Sequence, residues 1–265
     1  MLQRSKSAKL FVDLDYGADR FKKRPVLDTA RIALSQTWRI YSLYIIDTNL
    51  DTFQKLVSHL PKSAPELEVL LLLVNDGSDD EPNNKPLHDI RYKLPDDSLN
   101  EMDRLYSLEV VACGINWEKH LSKLNRLTFL RIENIHPNAR PSMAHFWNAL
   151  SHMAPILEEL HLCDSFPLVS ERLQSSNDGC NGRLTFVNLR RLRLEATSKE
   201  LEIFLNGVAI STTTVIISCV DSTGGGVLHA FCDALECSSV IGVPPIDVLD
   251  ISSAMSTSPL NFCWP

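Results

Sequence analysis

No apolar run in the 265 residues approaches the roughly 20 that a membrane-spanning helix needs. No signal-peptide core follows Met1, and no N-x-[ST] glycosylation sequon occurs. The seven cysteines, at positions 113, 163, 180, 219, 232, 237 and 263, form no paired framework, and their odd number would leave one unmatched in an oxidising compartment. Several fall within apolar strand or helix patterns, where a free thiol behaves as a small hydrophobe. These absences point to an intracellular protein, cytoplasmic or nuclear, with no membrane partner. Basic excess is lacking too: 26 Lys and Arg against 33 Asp and Glu give a formal charge of -7. Nucleic-acid binding relies on a basic surface to neutralise phosphates, so that class is set aside. The cluster Arg20, Lys22, Lys23, Arg24 reads as a solvated turn in preference to a nuclear address.

Signatures of chemistry are missing as well. The eight histidines, at 59, 88, 120, 136, 145, 152, 161 and 229, stand in no H-E-x-x-H motif and beside no C-x-x-C. A G-x-S-x-G elbow, a kinase signature and a Walker loop are all absent. The run Gly224-Gly-Gly226 is followed by no G-K-[ST] and reads as a flexible turn. Cys163 as a nucleophile with His161 is set aside on the ground that adjacent strand positions face opposite ways. The expectation is no enzyme, no cofactor and no metal.

What is present is repetition. Leu157-Glu-Glu-Leu160-His-Leu162 carries the spacing apolar-x-x-apolar-x-apolar, which returns from Ile40, Leu67, Leu105, Leu127, Leu189, Thr212 and Ile246. The intervals between starts are 27, 38, 22, 30, 32, 23 and 34 residues, irregular but centred near the period of a leucine-rich repeat. At the ninth position such repeats favour a small hydrogen-bonding side chain where the chain leaves the strand. Thr48, Asn75, Cys113, Ser165 and Thr197 meet that test, while Ile135, Val220 and Ala254 fail it, so the repeats are degenerate. With 44% hydrophobic residues there is ample material for a core. The fold expected is α/β: a single leucine-rich-repeat solenoid over 1–265, with a parallel strand ladder and helices or loops on its convex side.

Between the strands, helices are expected from Pro25 (Leu27, Ala30, Leu34), over Asp51 to Leu60 (Phe53, Leu56, Val57), and after a Ser142 cap (Met143, Phe146, Trp147, Leu150, Met153). Two more are expected, one after a Ser198 cap (Leu201, Phe204, Leu205, Val208) and one over Val227 to Cys237. Leu10 to Leu14 alternates as a strand with one buried face. Residues 77–97, carrying Asp79, Asp80, Glu81, Asp96 and Asp97 with Pro82, Pro86 and Pro95, read as an inserted acidic loop without the ligand spacing of a calcium site. Residues 166–183 read as a second loop, and 116–125 as a short connection.

If the motif positions point inward, the third, fifth and seventh residues of each unit project onto the concave face. The middle repeats then present Ser107, Glu109, Val111, next Phe129, Arg131, Glu133, next Glu159, His161, Cys163, and last Arg191, Arg193, Glu195. Glu109, Phe129, Arg131, Glu133, Glu159, His161, Arg191 and Arg193 are the candidate partner-binding residues, with Arg and Phe as anchors. The plainer reading is that Glu and Arg pair across strands and keep the face soluble.

Leu2-Gln-Arg4-Ser-Lys-Ser-Ala-Lys-Leu10-Phe-Val-Asp-Leu14, Trp38-Arg-Ile-Tyr-Ser-Leu43 and Ala64-Pro-Glu-Leu67-Glu-Val-Leu70 resemble the leucine-rich half of fungal, mushroom-type F-box proteins. Leu124-Asn-Arg-Leu127-Thr-Phe-Leu130, Met153-Ala-Pro155-Ile-Leu157-Glu-Glu-Leu160 and Leu189-Arg-Arg-Leu192-Arg-Leu194 resemble it too, so the likeness covers residues 1 to about 200. It implies the substrate-recognition part of an SCF-type ubiquitin ligase, which holds a protein target on its repeats. The F-box expected upstream is absent, with nine residues before Leu10. A Skp-type adaptor and a cullin are therefore expected as partners only if an F-box lies upstream. The alternative is a free-standing repeat scaffold with no ubiquitin role, and a remote one is a cysteine-dependent enzyme.

Overall fold

The computed structural model of the chain describes residues 8–16, 25–47, 50–60, 62–74, 94–98, 101–168, 183–210, 214–221, 225–239, 248–253 and 260–261. The basic cluster at 20–24, Thr48, Asn75, Ala254, the acidic stretch before Leu94 and the turn-forming run 175–182 lie outside these. The chain divides into two compact units, Met1–Leu127 with Asn134–Ala139, and Thr128–Glu133 with Arg140–Pro265.

The first unit carries strands β1 (Leu10–Tyr16), β2 (Ile40–Asp47), β3 (Val69–Val74) and β4 (Ser107–Val111) with helices α1 (Pro25–Leu34), α2 (Leu50–Val57) and the single-turn α3 (Trp117–His120). Its strands pair in chain order, all parallel. The second carries β5 (Phe129–Glu133), β6 (Glu159–Cys163), β7 (Leu184–Phe186), β8 (Arg191–Ala196), β9 (Val208–Ile210), β10 (Thr214–Cys219), β11 (Val248–Ser253) and β12 (Leu260–Asn261). Its helices are α4 (Met143–Met153), α5 (Ser198–Gly207) and α6 (Gly225–Ser239). Here β5, β6, β8, β10 and β11 pair in parallel and β12 closes antiparallel on β11. The fold is α/β.

Like meets like in every parallel ladder that bears the repeat. Leu43 pairs with Leu70 and Leu70 with Leu108; Ile45 pairs with Leu72 and Leu72 with Val110. In the second unit Leu130, Leu160, Leu192 and Val215 form one such row, and Ile132, Leu162, Leu194 and Ile217 the next. All of these are buried. Strand β1 belongs to the same frame, since Val12 pairs with Leu43 and Leu14 with Ile45. Its first motif position is Lys9, whose ammonium sits 2.7 Å from Glu68, and this cation is why the apolar spacing overlooks the unit.

One hydrogen-bond arrangement recurs where the strands begin. The carbonyl of the second motif residue accepts amides from the next repeat: Glu68 from Tyr106 and Ser107, Thr128 from Glu158 and Glu159, Glu158 from Arg190 and Arg191. A second device recurs where they end. The eighth motif residue is left-handed in three successive repeats, at Ala112 (φ 54°), Asn134 (φ 55°) and Asp164 (φ 46°). These are the non-glycine residues of positive φ among the described residues. Reversal thus rests on backbone conformation at position eight, with the ninth residue adding a side-chain bond at Cys113, whose thiol donates to the Gly114 carbonyl at 3.7 Å. Cys113, Ile135 and Ser165 at position nine are all buried, and the Ser165 hydroxyl finds no partner. Position nine there selects for small or apolar packing, so Ile135 fits as well as serine. Thr197 does meet the hydrogen-bonding expectation, because it caps α5.

The helices supply the rest of each core. Ala30 and Leu34 of α1 and Phe53, Leu56 and Val57 of α2 are buried, as their 3.6-residue spacing requires. Ser142 caps α4 by accepting from the His145 amide, and Phe146, Leu150 and Met153 are buried while Met143 and Trp147 are partly exposed. Thr197, and not Ser198, caps α5 in a full capping box with Glu200, the Thr-x-x-Glu signature. Glu200 also takes a buried ion pair from Arg140 at 3.0 Å, and Ser198 turns its amide and hydroxyl to Asp221. Gly225 and Gly226 lie inside the first turn of α6 and form no flexible turn. The connection at 116–125 holds α3, and Leu94 at the end of the expected acidic loop is a core residue whose amide donates to the Gly114 carbonyl. Strands β7 and β9, which pair in a separate two-stranded parallel ladder, carry no repeat spacing and were not expected.

Two stability effects follow from this packing. A β-branched residue is costly at positive φ, so Asn134→Val should lose about 1–2 kcal/mol in urea titration, whereas Ala112→Gly should lose nothing or gain a few tenths. A Cβ on Gly207 would lie 2.5 Å from Cη2 of Trp147, whose ring stacks on Phe204 at 5.9 Å. Gly207→Ala should therefore cost about 1–3 kcal/mol, and Trp147→Phe in the same chain should recover part of it.

Candidate functional site

Alternation puts the third, fifth and seventh motif residues on the face of each ladder opposite the buried rows. In the second unit the register aligns them into rows that cross the strands. Phe129, Glu159, Arg191 and Thr214 make the first, Arg131, His161, Arg193 and Ile216 the second, and Glu133, Cys163, Glu195 and Ser218 the third. Seven of the eight candidate residues are thereby brought onto one face. Glu109 lies on β4 of the first unit, in register with Leu71.

The charges on this second-unit face answer one another. Arg131 binds Glu133 at 2.8 Å and Arg193 lies 3.7 Å from Glu195, each along its own strand, while Arg191 to Glu159, at 3.0 Å, crosses between strands. Pairing along a strand thus occurs beside the cross-strand pairing that was expected. Side chains two apart on one strand face the same way, about 6.6 Å from each other against about 4.8 Å across the ladder, and the long arginine side chain reaches either. Burial raises Glu133, but the Arg131 bond and charge, helped by Arg193 and a hydrogen bond with Cys163, hold it below its ordinary value.

His161 occupies the centre of the middle row. Its ring meets Phe129 edge-on at a centroid distance of 5.5 Å, and its Nε2 is buried without a hydrogen-bond partner. Burial lowers its pKa below the ordinary 6.5; Arg131 and Arg193 push the same way, against Glu159 and Glu133. A neutral imidazole results. Cys163 lies two residues on, not one, so it shares the face with His161, contrary to the sequence-based argument that the two point apart. Its thiol nevertheless bonds Glu133, and burial with the neighbouring carboxylates pushes it up to about 12. Such a thiol stays protonated near neutral pH and is a weak nucleophile.

The open face of the first unit differs in character. Its rows are Phe11, Ser42, Val69, Ser107; Asp13, Tyr44, Leu71, Glu109; and Asp15, Ile46, Leu73, Val111. Seven of these twelve side chains are large and apolar, and each is at least partly open to solvent. Phe11 is 51% exposed and meets Tyr44 edge-on at 5.1 Å. Sequence reasoning took Ser107, Glu109 and Val111 from these rows and missed the residues of β1, β2 and β3, because it followed the middle repeats. The signal was the run Val69 to Val74, which lacks the polar alternation of a strand with one face in water.

A recess in the second unit, lined by Met143, Phe146, Trp147, Phe166, Pro167, Glu200, Ile203 and Phe204, holds only about 10 Å³ of space. That is room for a single water, far below the hundreds of Å³ of a ligand pocket. Among the described residues no three His, Cys, Asp or Glu are grouped to hold a metal ion, and no helix is long and apolar enough to cross a membrane. Comparison with family models, with curated proteins and with solved structures gives no match.

The folded pKa of His161 lies below its unfolded value, so the unfolded chain takes up this proton first as pH falls. The contribution is complete above about pH 6.5 and is lost as pH drops through the folded value. His161→Gln should flatten the stability profile as pH falls below about 7, read as urea midpoints at each pH. Parallel profiles for the two proteins would refute the assignment.

Proposed function

We propose that the chain is a protein-binding module of the leucine-rich-repeat type that works through the open faces of its parallel ladders. On the resemblance described above, its role is substrate recognition within an F-box protein of an SCF-type ubiquitin ligase. The observation that carries the binding reading is the open face of the first unit. A ladder meeting only water would gain nothing from Phe11, Tyr44, Ile46, Val69, Leu71, Leu73 and Val111 in three adjoining rows, and contiguous exposed apolar surface marks an interaction site. Support comes also from the regular register, which makes each face continuous across its strands.

Affinity capture with the wild-type chain and with Leu71→Asp tests this. Leu71 is on the open face, so the variant should keep its circular dichroism while its prey is lost by about tenfold or more. Prey that includes a Skp-type adaptor and a cullin would establish the ligase role, and prey without them the free-standing module. Identical prey on both folded baits would refute binding through this face.

A further inference from the structure

We propose that the open face of the first unit takes an amphipathic helix of its partner, laid along β3. This rests on the protein-binding reading and specifies what would be bound. The run Val69–Val74 is apolar at every position: Leu70, Leu72 and Val74 are buried in the chain's own core, and Val69, Leu71 and Leu73 are half-buried on the other side. In a parallel sheet, a strand without polar alternation is one covered on both faces, usually by helices. A helix on the open side of β3 would complete that arrangement.

The apolar residues form a stripe that runs with the strands. Register sets Tyr44 beside Leu71, and both Ile46 and Val111 beside Leu73. Polar residues adjoin it on either side, Asp13 of β1 next to Tyr44 and Ser107 of β4 next to Val69. From Val69 to Leu73 the stripe spans about 13 Å, and β2 with β3 measures about 10 Å across. A helix is about 10 Å wide, and its residues i, i+4 and i+8 span about 12 Å. It therefore matches the stripe in both dimensions.

Two other occupants fit less well. Strand β2 pairs with β1 and β3, and β3 with β2 and β4, so an extended segment finds no strand edge here to join. Its N–H and C=O groups would lie unpaired against aliphatic side chains, whereas a helix satisfies its own. A second copy held by this stripe would bury roughly 130 Å², against the roughly 800 Å² per partner of a stable interface.

The test uses the full chain and two fluorescein-labelled peptides of about 16 residues. The first carries Leu at i, i+4, i+7 and i+11 among Ala, Glu and Lys. The second keeps every Leu but has proline at a central position of the opposite face, which breaks the helix. Fluorescence polarisation should show the first binding about tenfold or more tightly than the second. Val69→Asp and Leu73→Asp should each weaken it about tenfold, and Phe11→Ala, off the stripe, by less than about threefold, with circular dichroism unchanged in all three. A larger loss in Phe11→Ala than in Leu73→Asp would turn the segment across the strands and overturn the placement. Equal binding of both peptides, lost together in Leu71→Asp, would overturn the helix and leave the protein-binding reading standing. Binding of neither peptide would overturn the proposal, while affinity capture with Leu71→Asp decides the protein-binding reading separately. A concentration-dependent dimer that Leu71→Asp dissolves would also overturn it, because it would seat a second copy on this face.

Discussion

Register is the constraint on which everything else in this protein depends. Strands β2 to β6, β8 and β10 bury their fourth and sixth motif residues and set the third, fifth and seventh on the other face, where all but Ser42 and Cys163 are at least partly exposed, and neighbouring strands match number for number. A slip of one residue between β5 and β6 would carry Leu160 and Leu162 to the open face and bury Glu159 and His161. Burying a charged carboxylate without a partner costs far more than the ladder bonds of one strand recover. Hydrophobic burial thus fixes the register, and the register in turn composes the rows of each open face.

The chain must also leave each strand at the same point. Left-handed residues at Ala112, Asn134 and Asp164 do this in three repeats, with different side chains but one backbone conformation. Asn and Asp tolerate that region through local hydrogen bonding, and Ala accepts a modest strain. Where the eighth residue is Ala196, β8 extends further and Thr197 begins α5 directly. The second unit then depends on the Thr197–Glu200 box and the buried Arg140–Glu200 pair to hold that helix beside β8.

Two open faces built on one frame differ in how they meet solvent. In the second unit, Arg131, Arg191 and Arg193 each have a carboxylate within reach, and such exposed pairs contribute little stability while keeping the surface wettable. In the first, aliphatic and aromatic side chains fill most of the positions, and no such compensation is available to them. Burial pushes up the thiols of Cys113, Cys163 and Cys219, so they stay protonated and serve as weak donors, Cys163 to Glu133 and Cys219 to Asp221.

The sequence by itself determined the α/β class, the helices α1, α2 and α4, and the inward and outward alternation of strands such as β3 to β6. Those features are local: a period of two or 3.6 residues is visible in a short window. Position Thr197 was legible in principle, since Thr-x-x-Glu is a local pattern, though Ser198 drew the attention. Tertiary structure alone decided what depends on residues distant in the chain. It placed β1 in register despite Lys9, paired β7 with β9, and chose which Glu each Arg meets. It also gathered Phe11, Tyr44 and Leu71 into one surface, because cross-strand neighbours are set by hydrogen bonding between segments about 30 residues apart, and no short window contains both partners.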